Sequence, residues 1–319
     1  MSKHLSSNLA GGLGNQLNCY FAALYFAQKY DYRFVTLNSG TANTIHVSPT
    51  SLTSILPKEI KMKSSKPITI KLEHQATNLL LNGVLRSLGP SFFSVSQFVR
   101  GILDDSSYLS LHEDSYHKFL NESFKRVSIN GTRNIRLNGF FPSQRLYQEL
   151  EPDLHSTESI LNFSNIPTGD IIPFEDINSY PYCVLHLRVG DFHLSGRNTF
   201  GVLDEKYYLD AISRIRREYP KIIIWAVSDD EQLASKIYST VLSKDVYLIR
   251  GLDKQSPLTT FEFIRNANVV ICANSSFSFW AARLSSRIEK AFIPAKPHLS
   301  IAGMKCLPNH WVQVDNGFL

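Results

Sequence analysis

The chain is poor in cysteine, and the four it has, Cys19, Cys183, Cys272 and Cys306, are scattered. No Cys-x-x-Cys pair occurs and no histidine stands at zinc-ligand spacing, which argues against a disulfide framework or a structural zinc site. Cys183 and Cys272 lie in apolar runs, where a reduced, buried thiol is the ordinary occupant. Long hydrophobic runs are missing too, and nothing approaches the roughly 20 residues of a bilayer-spanning helix. The segment before Gly11 lacks the apolar core of a secretory leader, so the expected setting is the cytoplasm. Nor is charge of one sign in large excess. A formal net charge of +5 favours an anionic ligand or a peripheral contact with an anionic membrane surface. It is too small to point to nucleic acid, and no nucleic-acid-binding signature accompanies it.

What is present suits a globular protein. The 319 residues suggest two domains rather than one. Apolar residues at 43% and aromatics at 12% are enough to build full cores. The chain opens on a strand at Leu5–Ala10, the turn Gly11-Gly12-Leu13-Gly14-Asn15-Gln16-Leu17, and a helix ending near Tyr30. Leu17, Tyr20, Phe21, Leu24 and Tyr25 recur at helical spacing. Arg33–Leu37 reads as the next strand, completing a βαβ unit. The turn lacks the Gly-Lys-Ser/Thr of a P-loop, and Leu17 holds the place of a dinucleotide fingerprint's third glycine. It still brings backbone close to a ligand edge, with Asn15 and Gln16 at the helix start.

From Asn38 towards Asn130 the pattern is weak, interrupted by Pro49, Pro57, Pro67 and Pro90, with one helical stretch at Asn78–Leu88. Asn134–Phe141 reads as a strand and Pro142-Ser143-Gln144-Arg145 as a helix start. Pro167–Pro173 is the expected domain junction. Beyond it the pattern becomes regular. Strands at Tyr182–Leu187, Ile222–Val227, Val246–Ile249, Val269–Cys272 and Ala291–Ile293 alternate with helices. Those helices run over Asp204–Tyr219, from Asp230 towards Thr240, over Pro257–Ala267, and from Asn274 to Ser285. Apolar strands alternating with helices predict a doubly wound parallel sheet.

Three strand ends in this half carry polar clusters: His186/Arg188/Asp191, Ser228/Asp229/Asp230 and Asn274/Ser275/Ser276. Parallel strands bring their carboxyl ends to one sheet edge, so the clusters converge. Arg188 can fork onto a phosphate. Asn274 or Ser275 can cap a helix whose first amides would bind another. Asp229 or Asp230 can accept from a base carrying an N–H and an amino group, as guanine does. Asp191 and His186 suit acid–base or orienting roles. Each cluster alone also reads as a cap, an ion pair or an acidic turn; their convergence favours a site.

Taken in order, Gly11-Gly12-Leu13-Gly14-Asn15-Gln16-Leu17, His186-Leu187-Arg188-Val189-Gly190-Asp191, Ser228-Asp229-Asp230 and Asn274-Ser275-Ser276-Phe277-Ser278-Phe279-Trp280-Ala281-Ala282 resemble the motifs of the α-1,2-fucosyltransferases, glycosyltransferase family eleven. Leu137-Asn138-Gly139-Phe140-Phe141-Pro142-Ser143 is similar to that family's strand-to-helix segment, and Pro308-Asn309-His310-Trp311 to its closing Pro-x-x-Trp. The likeness runs nearly end to end. It implies an α/β, GT-B-like fold of two Rossmann-like domains facing a cleft. Residues 1–168 would form the acceptor-side domain and 174–296 the GDP-fucose-binding domain with its doubly wound parallel sheet. The tail, 297–319, would pack back on the first domain.

The resemblance further implies inverting transfer of L-fucose from GDP-L-fucose to the 2-hydroxyl of a terminal galactose, with no metal or other cofactor. The donor contacts implied are Gly14, Asn15, His186, Arg188, Asp229, Asp230, Asn274, Ser275, Ser276, Phe277 and Ser278, with Arg188, Asp191 and His186 as the catalytic set. A strict Asp-x-Asp is indeed absent, and Glu151-Pro152-Asp153 falls before the junction. Without a metal, charge on the departing GDP falls to Arg188 and the amides at Ser275–Phe277. Where the family has a second arginine, this chain has Val189. Inversion requires a base. Asp191 is the first candidate, with His193 and the Asn15/Gln16 turn as helpers; orienting Arg188 is its equal alternative. The expected setting is bacterial O-antigen or other surface-polysaccharide synthesis, with a galactose-terminated, lipid-linked acceptor at the inner face of the plasma membrane. Rival expectations are another GDP-sugar or linkage, or a non-catalytic nucleotide-sugar- or glycan-binding protein. Acceptor recognition is expected in the weakly patterned region from Asn38 to Asn130.

Overall fold

The structure, a computed structural model, describes residues 4–9, 11–29, 33–39, 52, 54–56, 61–64, 108–112, 134–138, 161–163, 180–194, 200–252, 255–296 and 307–319. The expected helices at Asn78–Leu88 and after Pro142, the Pro167–Pro173 junction, Glu151-Pro152-Asp153 and Cys306 lie outside the described residues. The chain divides into two compact units, Met1–Leu146 and Tyr147–Leu319.

The first unit holds five parallel strands: β1 (His4–Asn8), β2 (Arg33–Ser39), β3 (Lys61–Ser64), β4 (Tyr108–His112) and β5 (Asn134–Asn138). Their order in the sheet is β3-β2-β1-β5-β4. Between β1 and β2 runs α1 (Leu13–Lys29). It enters through Gly11, whose φ of 68° is open to glycine at little cost. Gln16 ties the turn down, donating from its side chain to the Gly11 carbonyl at 2.9 Å and from its backbone to Gly12 at 3.0 Å. Leu17, Tyr20, Phe21 and Phe26 of α1 are fully buried, which accounts for its helical apolar spacing.

The second unit holds a six-stranded sheet in the order β11-β10-β9-β6-β7-β8, parallel throughout. Its strands are β6 (Tyr182–Leu187), β7 (Ile223–Ser228), β8 (Val246–Leu248), β9 (Val269–Ile271), β10 (Lys290–Pro294) and β11 (Trp311–Val314). The helices are α2 (Gly190–Leu194), α3 (Glu205–Glu218), α4 (Glu231–Ile237), α5 (Ser239–Leu242), α6 (Pro257–Arg265) and α7 (Ser276–Arg283). All six positions of β6 are buried, as expected of a strand covered on both faces. Tyr207, Tyr208, Ala211, Ile212 and Ile215 line the buried side of α3. Its tyrosines satisfy their hydroxyls on backbone: Tyr207 donates to Cys272 at 2.6 Å and Tyr208 to His186 at 3.2 Å. Cys183 and Cys272 are free and buried, in line with their apolar setting.

Two sequence expectations are corrected here. The helix expected to run towards Thr240 is divided into α4 and α5 at Tyr238, which leaves helical geometry and donates its buried hydroxyl to Leu203 at 2.7 Å. The tail, for which no strand was expected, adds one to the second unit's sheet. β11 adds to the edge strand β10 in the register Ala291↔Trp311, and Phe318 bridges Leu203. An unpaired parallel edge offers ladder hydrogen bonds to any adjacent strand. Trp311, 5.2 Å from the Phe279 ring of α7, supplies the apolar burial.

Candidate functional site

β9, β6 and β7 are neighbours in the sheet, so the segments leaving their carboxyl ends meet at one edge. Just past β6, Arg188 pairs with Asp191 at 2.7 Å and with Asp229, just past β7, at 3.0 Å. The other Asp229 oxygen accepts the Val189 backbone N–H at 2.9 Å. Asp229 thus locks the β6 and β7 ends together and aims the guanidinium. Arg188 has five N–H donors, so both carboxylates leave further donors for an incoming anion. It is about a quarter exposed, at 24%.

Gly190 permits this approach. A Cβ there would lie 2.7 Å from Asp229 Oδ2, closer than atoms tolerate. Val189 is fully buried and packs in the sheet–helix core. The position of the second family arginine therefore presents its side chain to the interior here.

His186 is buried at the end of β6, its ring 5.7 Å from that of Phe277 at the start of α7. Burial, and secondarily the Arg188 charge, hold its pKa down to about 4, while Asp229 pulls the other way. The imidazole is neutral at physiological pH. A conjugate acid that strong makes it a poor general base there.

The α7 start is capped by Ser275, whose hydroxyl accepts from Phe277 N at 3.3 Å. Of the two capping candidates, Ser275 does the work. Asn274 instead turns its side-chain amide to the carbonyls of Phe200 and Gly201 at 3.1 and 3.0 Å. With its cap in place, α7 presents first-turn amides and the positive end of its dipole at the same sheet edge.

The sequence-predicted residues thus separate. His186, Arg188, Asp191, Asp229, Asn274, Ser275, Ser276 and Phe277 gather at the β9-β6-β7 edge. Asp230 is the α4 cap, accepting Leu233 N at 2.9 Å. Ser278, in the first turn of α7, is fully buried. Gly14, which is buried, and Asn15 stand in the first turn of α1 in the first unit. His193 closes α2, its N–H on the Val189 carbonyl at 2.7 Å. Sequence reasoning did not single out Phe192, over whose ring the Arg188 guanidinium sits at 5.3 Å, or Phe200, which stacks on Phe192 at 5.0 Å. Among the described residues, no group of three or more His, Cys, Asp and Glu is arranged to hold a metal ion. Among them, too, no helix is long and apolar enough to cross a membrane.

Two parallel α/β sheet units give the chain a GT-B-like fold. The likeness extends to a solved variant of Arabidopsis thaliana FUT1, with a TM-score of 0.50 and 14% identity, over 92% of this chain and 70% of that one. The model of glycosyl transferase family 11 matches residues 92–298, and the chain belongs to that family. It is 26% identical to the Escherichia coli O-antigen biosynthesis glycosyltransferase WbnK, over 97% of this chain and 99% of the relative. It is 25% identical to an Escherichia coli alpha-1,2-colitosyltransferase, over 62% and 69% of the two chains.

Proposed function

We propose that this glycosyltransferase moves L-fucose from GDP-L-fucose to the 2-hydroxyl of a terminal galactose, with inversion, in bacterial O-antigen or surface-polysaccharide synthesis. The observation that carries the reading is Arg188, held between Asp191 and Asp229 at the sheet edge where α7 begins. A guanidinium on one side and a helix N-terminus on the other form two halves of a diphosphate clamp. The relatives support the class: one is an alpha-1,2-colitosyltransferase, one an O-antigen glycosyltransferase, and the FUT1 variant was solved with GDP. The first of these favours a second reading, in which the donor is a GDP-linked dideoxy sugar and the linkage is retained.

In the proposed reaction the bond between the sugar's anomeric carbon and the β-phosphate oxygen breaks, its electron pair leaving on GDP, while the acceptor hydroxyl attacks from the opposite face and gives up its proton to water. Arg188 and the α7 amides take up the charge that develops on GDP, and no metal is required. Asp191 is committed to Arg188 at 2.7 Å, which favours its orienting role over that of general base. His186 backs the clamp as a neutral ring. The acceptor, on a lipid carrier, would be met at the cytoplasmic face of an anionic membrane, where the net charge of +5 favours salt-sensitive peripheral contact.

The test is to incubate the purified protein with GDP-fucose and a panel of β-galactosyl disaccharides, reading products by mass spectrometry and linkage by NMR. An α-1,2-fucosylated product is expected, with EDTA leaving the rate unchanged. Arg188→Ala should lower kcat by about 10²–10³, the range for removing one charge-stabilising donor. Transfer from GDP-mannose alone, or a strict need for Mg²⁺ or Mn²⁺, would overturn the reading.

A further inference from the structure

Beside the charged cluster lies an apolar feature that phosphate binding does not explain. Phe200 stacks on Phe192 with planes 15° apart, and Phe192 in turn underlies Arg188. Phe200 is 39% exposed, unlike the buried aromatics of the core. A large ring left open next to charged groups is informative where an isolated exposed side chain is not.

The fold holds this ring in place from two directions. Asn274, only 3% exposed, grips the Phe200 and Gly201 carbonyls from the turn that opens α7. On the other side, Gly201 takes a φ of +75°, and the Phe318 ring lies 2.4 Å from where a Cβ would stand. Leu319 N donates to the Val202 carbonyl at 2.8 Å, and Asp204 and Gly317 exchange two hydrogen bonds of 3.2 Å. Phe200 is thus tied through Asn274 to one proposed phosphate anchor and stacked through Phe192 against the other.

We propose that Phe192 and Phe200 form an apolar shelf for the methyl end of a 6-deoxyhexose donor, which makes them specificity-determining residues. The inference rests on the diphosphate reading of the Arg188–α7 clamp and adds the sugar's recognition to it. The sugar hangs from the distal phosphate, so it lies within reach of a surface tied to both anchors. Over a ring face, the hydroxyls of a hexose lose water and find no partner, whereas a methyl group gains by burial. The discrimination has a ceiling, because an apolar surface rejects an added hydroxyl by only about 10²-fold.

GDP-L-fucose and GDP-L-galactose differ by a single hydroxyl at C6 and make the decisive pair. The wild type should prefer the deoxy donor in kcat/KM by roughly 10- to 100-fold. Phe200→Ala should shrink that ratio to about threefold or less, and Phe200→Leu, which keeps apolar bulk, should retain part of it. Calorimetric GDP affinity should stay within about twofold in both variants, and melting curves check that each is folded. A wild type blind to the C6 hydroxyl, or a ratio unchanged in Phe200→Ala, overturns the shelf. A roughly tenfold loss of GDP affinity in a folded Phe200→Ala also overturns it, because the ring would then stack on the base. Failure of the wild type to bind GDP sinks the clamp reading itself and the shelf with it, so the two failures are told apart.

Discussion

At the scale of single residues, Asp229 is the hinge of the site, since one carboxylate oxygen fixes the Val189 amide and the other the Arg188 guanidinium. Gly190 makes room for it, with a virtual Cβ 2.7 Å from Oδ2 and 3.2 Å from Cγ. Gly190→Ala should therefore push Asp229 off Arg188. The expected cost is about 1–3 kcal/mol of stability, as for overpacking elsewhere, together with a lower kcat, read from urea melts and turnover. Gly12→Ala is the stability control, since nothing lies within 4 Å of its virtual Cβ. His186 gives a pH signature. Its folded pKa, lowered to about 4 mainly by burial, lies below the unfolded value of 6.5. The unfolded chain therefore binds the extra proton between those values, and stability falls as pH drops from about 6.5 towards 4. The slope from this one group is at most about 1.4 kcal/mol per pH unit. His186→Asn should flatten that limb in urea midpoints taken across the window, and an unchanged limb would assign the acid sensitivity elsewhere.

At the scale of elements, legibility followed burial. β6 was readable to the residue because both its faces are covered and its sequence is continuously apolar. β3 and β4 are edge strands of four and five residues, too short for a period to stand out from the weak pattern around them. β11 could not be seen because its reason for being a strand, the edge of β10, lies about twenty residues back in the chain. The site shows the same division. Arg188 and Asp229 were legible as charged groups at neighbouring strand ends. That Asp230, expected as an acceptor for a base, caps α4, and that Ser278, included through the family motif, is buried in α7, are local features the sequence did not reveal. Phe192 and Phe200 went unnoticed because their stacking exists only in the folded chain. β11 also carries a prediction. Trp311 is 7% exposed and meets Phe279 of α7 edge-on. Trp311→Ala should cost about 3–5 kcal/mol in denaturant unfolding. It should also weaken GDP binding through the loosened α7, and an unchanged GDP affinity would mean that the clamp is insulated from the tail strand.

At the scale of the whole molecule, the second unit contains Arg188, Asp229 and the α7 start, together with its own sheet and core. The first unit contributes the glycine turn with Gly14 and Asn15 on a separate five-stranded sheet. A ligand that binds only the folded state stabilises what it touches, by about 2.7 kcal/mol at a hundred times its dissociation constant. GDP should therefore slow amide exchange most at 186–192, 228–231 and 275–278, the three strand ends of the second sheet. The β3 and β4 edges, which carry none of the proposed phosphate contacts, should exchange as before. Mass-spectrometric hydrogen exchange with GDP and with GDP-fucose reads both at once. Protection extending to Leu13–Gln16 would add Gly14 and Asn15 to the donor's contacts, and its absence there would strike them off. Protection that missed all three strand ends would move the nucleotide away from Arg188, and with it the charge stabilisation on which the proposed metal-free transfer depends.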